Sequence, residues 1–244
     1  MTEFGTPVGN PEFHILVLAA GASTRLGQPK QLASVRGRPA LQSVVAAAVS
    51  VAGQAVTTVV GANAAGILPM LARTGTTTVV NRHWEEGLGA SIRAGIAALP
   101  PACEAVLLLL GDQVAVTPDD LRRLVAAWKG SETVIAAALY KRMPGVPAIF
   151  PRWCFPELSL IRGDRGARHL LQRHAGRLVH VPMPNAAVDL DTPEDLERLN
   201  GLTGAGSELP SARDWSEETW LLPSGLELVE GDPEDSHAPY HRPE

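Results

Sequence analysis

The 244-residue sequence is poor in several features that often announce a function. It has two cysteines, Cys103 and Cys154, with no CxxC or Cys/His spacing. A cysteine metal site is therefore not expected, and two buried thiols in a reducing compartment are. No apolar run approaches the roughly 20 residues of a membrane span, so no membrane partner is expected. No basic region precedes the first apolar stretch, where Glu3 and Glu12 sit instead. That argues against a signal peptide, and the expected location is cytoplasmic. Aromatic residues make up only 5%, while alanine is abundant, so strands and helices should pack closely through small side chains. His169 and His174 lack an HExxH pattern or a carboxylate at metal spacing and read as surface helix residues. There is no internal repeat.

Hydrophobic residues, at 45%, are ample for a core. The net charge of −5 hides a division. Residues 201–244 hold ten Asp/Glu against two Lys/Arg, which leaves the first 200 residues at +3. The basic residues gather near 25–30 and in 162–177. A mildly basic cleft suits a polyanionic small molecule, and no stripe for nucleic acid is present. Residues 1–10 read as a flexible leader and 11–200 as one domain. Residues 201–244, rich in Gly, Ser and acids, read as a flexible acidic tail, with Trp215 and Trp220 as possible anchors.

Within the body, strands alternate with helices. The apolar run of Phe13, Ile15, Leu16, Val17 and Leu18 reads as a buried strand. Residues 40–52 read as a helix, 55–60 as a strand, 62–73 as a weak helix and 76–80 as a strand. Ser91 opens the next helix. AVLLLLGDQ at 105–113 reads as the plainest strand, apolar as a central parallel strand is, and it ends abruptly in Asp112. A helix at 118–129, a strand at 133–139 and a returning strand before 150 follow. The pattern predicts a three-layer α/β/α sandwich around a mostly parallel sheet.

Three stretches carry chemistry. After the first strand comes Ala19-Ala20-Gly21, then Ser23, Arg25, Gly27 and Lys30. Small residues let a backbone approach a ligand, and Arg and Lys suit phosphate. The loop is neither GxxxxGK[ST] nor GxGxxG; the plainer alternative is a Gly-rich turn with two solvated cations. Asp112 ends a central strand, where an open α/β sheet binds its ligands. A carboxylate facing a polyphosphate there commonly holds Mg²⁺. In VDLDTPEDLERL, 188–199, Thr192 caps a helix and Pro193 takes its first position. Asp189 and Asp191 lie on alternate positions of a presumed strand, so both should face one side.

The pattern LAAGxSxRxGxPKxL at 18–32 resembles the signature loop of the MobA-like nucleotidyltransferases, and within them the molybdenum cofactor cytidylyltransferases. The resemblance spans 11–200. It implies a Rossmann-like sheet with one antiparallel strand, of the nucleotide-diphospho-sugar transferase type. It implies that the loop (Leu18, Ala19, Ala20, Gly21, Ser23) wraps an NTP whose phosphates meet Arg25 and Lys30. The segment 81–95 resembles N-x-x-W-x-x-G-L-x-x-S-x-R-x-G, which places Gly87 and Ser91 at the nucleotide and leaves Arg93 a weaker candidate. Asp112 falls on the family's G-D-x-P aspartate, although Val114 replaces the proline. Asp191, with Asp189 in reserve, is the implied second Mg²⁺ ligand. Gly145 and Pro147 resemble a G-x-P-x-x-F stretch on the acceptor side, and RGDRGAR at 162–168 resembles a segment of the cytidylyltransferase branch. The implied substrates are CTP and molybdopterin, with a molybdoenzyme or its maturation factor as the protein partner. Two alternatives stay open: another phosphorylated acceptor, or a non-catalytic nucleotide-binding module.

Overall fold

A computed structural model describes residues 13–201. The expected leader and the expected tail, beyond Gly201, lie outside the described residues. A seven-stranded sheet forms the centre, in the spatial order β5-β4-β1-β6-β8-β7-β9. Its strands are β1 (Phe13–Ala19), β4 (Val56–Val60), β5 (Thr77–Val80), β6 (Ala105–Leu110), β7 (Ile135–Tyr140), β8 (Met143–Pro151) and β9 (Leu178–Pro182). β8 is antiparallel to both β6 and β7, while the β1–β4, β1–β6, β4–β5 and β7–β9 pairs are parallel. The mostly parallel sheet with one reversed strand is therefore as expected.

The layers follow from the alternation of side chains along each strand. Ile15, Val17, Leu107 and Leu109 face one cluster with α1 (Ala40–Ala52), α2 (Ala64–Leu71) and α4 (Pro118–Trp128). Leu16, Leu18, Val106 and Leu108 face the other, with α3 (Leu88–Ala97), α5 (Phe155–Leu158) and α6 (Arg168–Arg173). Both faces of β1 and β6 are covered, which is why these strands read as unbroken apolar runs. Capping fixes α4. Thr117 Oγ1 accepts from the Asp120 amide, Asp120 reaches back to the Thr117 amide, and Pro118 takes the first turn.

The structure differs from the sequence reading in four places. A hairpin of β2 (Ser34–Val35) and β3 (Arg38–Pro39) follows the signature loop, and β9 adds an edge strand. α3 begins at Leu88, so Ser91 lies inside the helix rather than at its opening. Residues 188–191 are not a strand. They carry no regular secondary structure and are held where the Leu190 amide donates to the Asp112 carbonyl at 3.2 Å, just ahead of α7 (Pro193–Gly201). Among the described residues, no helix is long and apolar enough to cross a membrane.

Candidate active site

The site forms where β1 and β6 end side by side. Ala19 and Gly111 follow paired strand positions, and a side chain on Gly111 would lie 2.8 Å from Ala19 Cβ. The two strand ends can meet because that methyl is missing. The chain then opens a cavity of about 470 Å³ bordered by Ala19, Ala20, Gly21, Arg25, Lys30 and Asp112. Its far wall is Trp84, Gly87, Leu88 and Ser91. The cavity mouth is therefore the strand-end crevice expected of an open α/β sheet.

Charge concentrates at one lip. Lys30 Nζ lies 2.5 Å from Asp112 Oδ2 and 3.1 Å from Asp191 Oδ1, and Arg25 Nη2 lies 2.9 Å from Asp191 Oδ2. Burial would lower the Lys30 pKa, but Asp112 and Asp191 outweigh it and raise it above its ordinary value. Lys30 thus stays charged across the physiological range. Arg25 is 72% exposed and free to turn toward a ligand, whereas the Lys30 side chain is 19% exposed and fixed.

Asp112 is held from its backbone. Its carbonyl accepts from Val114 at 2.9 Å and from Leu190 at 3.2 Å. A proline at 114 lacks that first donor, so the departure from the family pattern adds a bond at this turn. Gln113, 1% exposed, donates to the carbonyls of Val146 and Ala186 and ties the turn to β8. Asp112 Oδ1 is buried with no hydrogen-bond partner among the described residues. A buried, unpaired carboxylate oxygen beside a second carboxylate is the donor set of a hard divalent cation. Asp112 and Asp191 therefore fit such an ion. Among the described residues no group of three or more His, Cys, Asp or Glu gathers, so the protein would supply two carboxylates and leave the other positions to water and phosphate.

Asp191 is placed by α7. Its amide and that of Thr192 donate to Asp195 Oδ2 at 3.2 and 3.0 Å, and Thr192 Oγ1 accepts from the Asp195 amide. Asp189 instead borders a second cavity. Burial, then the negative charges of Asp112 and Asp191, push its carboxyl up to about 6. Of the two, Asp191 is the carboxylate that meets Lys30 and Arg25.

The remaining expected residues divide. Leu18, Ala19, Ala20, Gly21, Gly87 and Ser91 all border the first cavity. Ser91, 3% exposed, accepts from Asn81 Nδ2 at 3.1 Å, so its own hydroxyl hydrogen is left to donate elsewhere. Ser23 does not border the cavity. Its backbone is left-handed (φ 60°), and its hydroxyl turns inward, accepting from the Lys30 amide at 3.0 Å and donating to Gln31 Oε1 at 3.3 Å. Both of these side-chain bonds lie within the loop. Arg93 is likewise committed elsewhere, to the Ile161 carbonyl at 2.7 Å and Glu86 at 2.6 Å. The α3 N-terminus is not open either, because the Gly89 amide donates to the Gly163 carbonyl at 2.9 Å.

The second cavity, about 650 Å³, shares Leu18, Leu88, Leu110 and Asp164 with the first. Tyr140, Arg165, Arg168, His169 and Gln172 form its polar side. The Tyr140 pKa is raised chiefly by burial, against the positive charge of nearby Arg168, which lowers it. A side chain on Gly145 would sit 2.4 Å from the Tyr140 hydroxyl. Arg162 falls outside, in an adjoining groove. Sequence reasoning missed Gln31, Asn81, Tyr140 and Asp164. Asn81 and Asp164 lay inside the two segments already quoted, 81–95 and 162–168, whereas Gln31 and Tyr140 offered only a polar residue type.

The chain resembles known proteins along most of its length. The chain is 29% identical to nicotine blue oxidoreductase of Paenarthrobacter nicotinovorans over 195 residues, covering 75% of this chain and 94% of that protein. It is 26% identical to a probable molybdenum cofactor guanylyltransferase of a Nostoc strain, covering 76% and 89%. Among solved structures, the Rv0371c protein of Mycobacterium tuberculosis H37Rv is 31% identical with a TM-score of 0.65, covering 79% of this chain and all of that one. The same protein has also been solved in complex with manganese, at 30% identity, a TM-score of 0.64, and coverage of 78% of this chain and 98% of that one. Residues 15–178 match the model of the MobA-like NTP transferase domain, and the chain belongs to that family.

Proposed function

We propose that this protein transfers CMP from CTP to the phosphate of molybdenum-bearing molybdopterin, giving the cytosine dinucleotide and pyrophosphate. The observation that carries the reading is the meeting of Arg25, Lys30, Asp112 and Asp191 at the lip of the strand-end cavity. An acceptor phosphate oxygen attacks the α-phosphorus, the bond from that phosphorus to the β-bridging oxygen breaks, and pyrophosphate carries the electron pair away. Such transfer needs no protein nucleophile; it needs in-line placement and neutralised charge. Lys30 and Arg25 provide fixed and mobile positive charge. Asp112 and Asp191 would hold a divalent cation, Mg²⁺ in this reading, which supplies further neutralisation of the phosphates. The manganese complex of the mycobacterial relative supports a divalent cation.

The acceptor belongs in the second cavity, which adjoins the first and turns Arg165 and Arg168 toward it. For the base, support comes from Ala20. Its Cβ lies 2.8 Å from where a side chain on Gly61 would begin, and Trp84 Cβ lies 2.6 Å from that point. Ala20 borders the first cavity, where its methyl takes up space that a two-ring base would need, and one methyl contributes about 1–3 kcal/mol of discrimination.

Pyrophosphate release with CTP, GTP, ATP and UTP, each with molybdopterin and with sugar and alditol phosphates, tests the reading. CTP with molybdopterin is the expected pair. Better use of GTP would move the protein to guanylyl transfer. Turnover only with a sugar or alditol phosphate would replace the acceptor. Oxidation or reduction of nicotine blue with no pyrophosphate released would favour the chemistry named for the Paenarthrobacter relative.

A further inference from the structure

Gln31 lies one residue beyond the lysine of the signature loop and is 2% exposed. Its Nε2 donates to the Ala19 carbonyl at 3.0 Å and to the Gly21 carbonyl at 2.8 Å. Its Oε1 accepts from the Ser23 hydroxyl at 3.3 Å. The opposite amide orientation would set an oxygen against two carbonyl oxygens, so the assignment follows from the partners. Both hydrogens of the Gln31 amide are thereby used within the loop, and none is left for a ligand.

Holding these carbonyls fixes more than the carbonyls. In a trans peptide the C=O and the following N–H point in opposite directions. With the Ala19 and Gly21 carbonyls turned onto Gln31, the N–H groups of Ala20 and Ala22 point away from it. Both residues border the strand-end cavity, and among the described residues neither amide has an acceptor. We propose that Gln31 is the positioning residue of the signature loop, holding the Ala19 and Gly21 carbonyls so that the Ala20 and Ala22 N–H groups serve as donors to the polyphosphate. Ser23 completes the device, because its hydroxyl anchors Gln31 while receiving the Lys30 amide. The fixed lysine and the oriented amides are thus parts of one hydrogen-bonded unit. The inference rests on the nucleotide reading of the cavity.

The test is calorimetric titration of inorganic pyrophosphate with Mg²⁺, together with CTP kinetics and thermal unfolding, on wild type, Gln31→Leu, Gln31→Glu and Ser23→Ala. Gln31→Leu should weaken pyrophosphate binding roughly tenfold and raise KM for CTP by a similar factor, with kcat within about threefold of wild type. Gln31→Glu, which sets a carboxylate against two carbonyls, should lose more; if it fails to fold, the leucine variant decides. Ser23→Ala should fall between wild type and Gln31→Leu. Unchanged pyrophosphate binding in Gln31→Leu would overturn the inference alone. So would an equal fall in kcat, KM-independent activity and melting temperature, which marks general damage rather than a lost orientation. Failure of the wild type to bind pyrophosphate would overturn the nucleotide reading as well.

Discussion

In the proposed reaction Lys30 and Asp112 are the pair on which the chemistry turns, and neither builds the core. Lys30→Ala and Asp112→Asn should each lower turnover more than tenfold with little change in melting temperature, since both groups face the cavity lip. Near-wild-type rates in either variant would remove that residue from the mechanism. Asp191→Asn should weaken metal dependence more than Asp189→Asn, because Asp191 meets Lys30 and Arg25 while Asp189 faces the second cavity. A Mn²⁺ titration of both variants decides, and the reverse order would exchange their roles. A third residue reports on stability. His14 is 7% exposed on β1 with Nε2 2.8 Å from Thr57 Oγ1, and burial lowers its pKa below 6.5. The unfolded chain then binds the proton more readily, so stability is full above pH 6.5 and falls as the pH drops below it toward the folded pKa. Replacing His14 with Gln should flatten the loss of melting temperature between neutral and acid pH. At this scale the sequence made Arg25, Lys30 and Asp112 legible, because a charge beside small residues at a strand end has few other uses. It did not make the direction of a side chain legible. Ser23 turned inward through its left-handed backbone, and Arg93 was claimed by Glu86 and the Ile161 carbonyl.

At the scale of elements, strands with strong apolar patterns and helices with clear caps were readable. α4 fell within a residue of its expected bounds, and β6 began where expected but ended at Leu110, short of 113. The elements that escaped were those whose existence depends on a distant partner. β9 alternates weakly and is ordered by pairing with β7, and the β2–β3 hairpin is only two residues a side. The seating of residues 161–163 on the α3 N-terminus was equally invisible, because it depends on the absence of side chains. Gly87, at φ 92°, would carry a Cβ 2.5 Å from Asp164 Oδ1, and Gly89 one 2.8 Å from the Ile161 carbonyl oxygen. Gly89→Ala must therefore displace backbone, at a cost of about 1–3 kcal/mol. It should also raise KM for the acceptor more than for the nucleotide, since Asp164 and Arg165 on that segment border the second cavity. Urea unfolding and paired kinetics check both effects. An unchanged midpoint would mean that the segment does not rest on α3.

At the scale of the whole molecule, the catalytic reading uses a contiguous body. Every residue placed at either cavity lies between Leu18 and Asp191, and the family match ends at 178. α7 closes that body. Leu199 packs with Leu26, Val35 and Leu190, and Asn200 accepts from the Arg36 amide at 2.7 Å while donating to the Ser34 carbonyl at 3.1 Å. These contacts brace the signature loop and the hairpin behind it, so α7 belongs to the site even though it touches no cavity wall except through Asp191. Truncation after Gly201 should consequently leave NTP binding and the melting temperature of the body close to those of the full chain. Truncation before Pro193 should release Asp191 and the loop together, with loss of binding and a lower melting temperature. The acidic residues 202–244 carry the chain's net negative charge, so their removal should also shift the remaining protein to a net positive charge and strengthen the salt dependence of NTP association. Calorimetry of the two truncations at low and moderate salt separates these outcomes. Insolubility or loss of CTP binding on truncation after Gly201 would make the acidic segment part of the working fold, with Trp215 and Trp220 as the first positions to substitute.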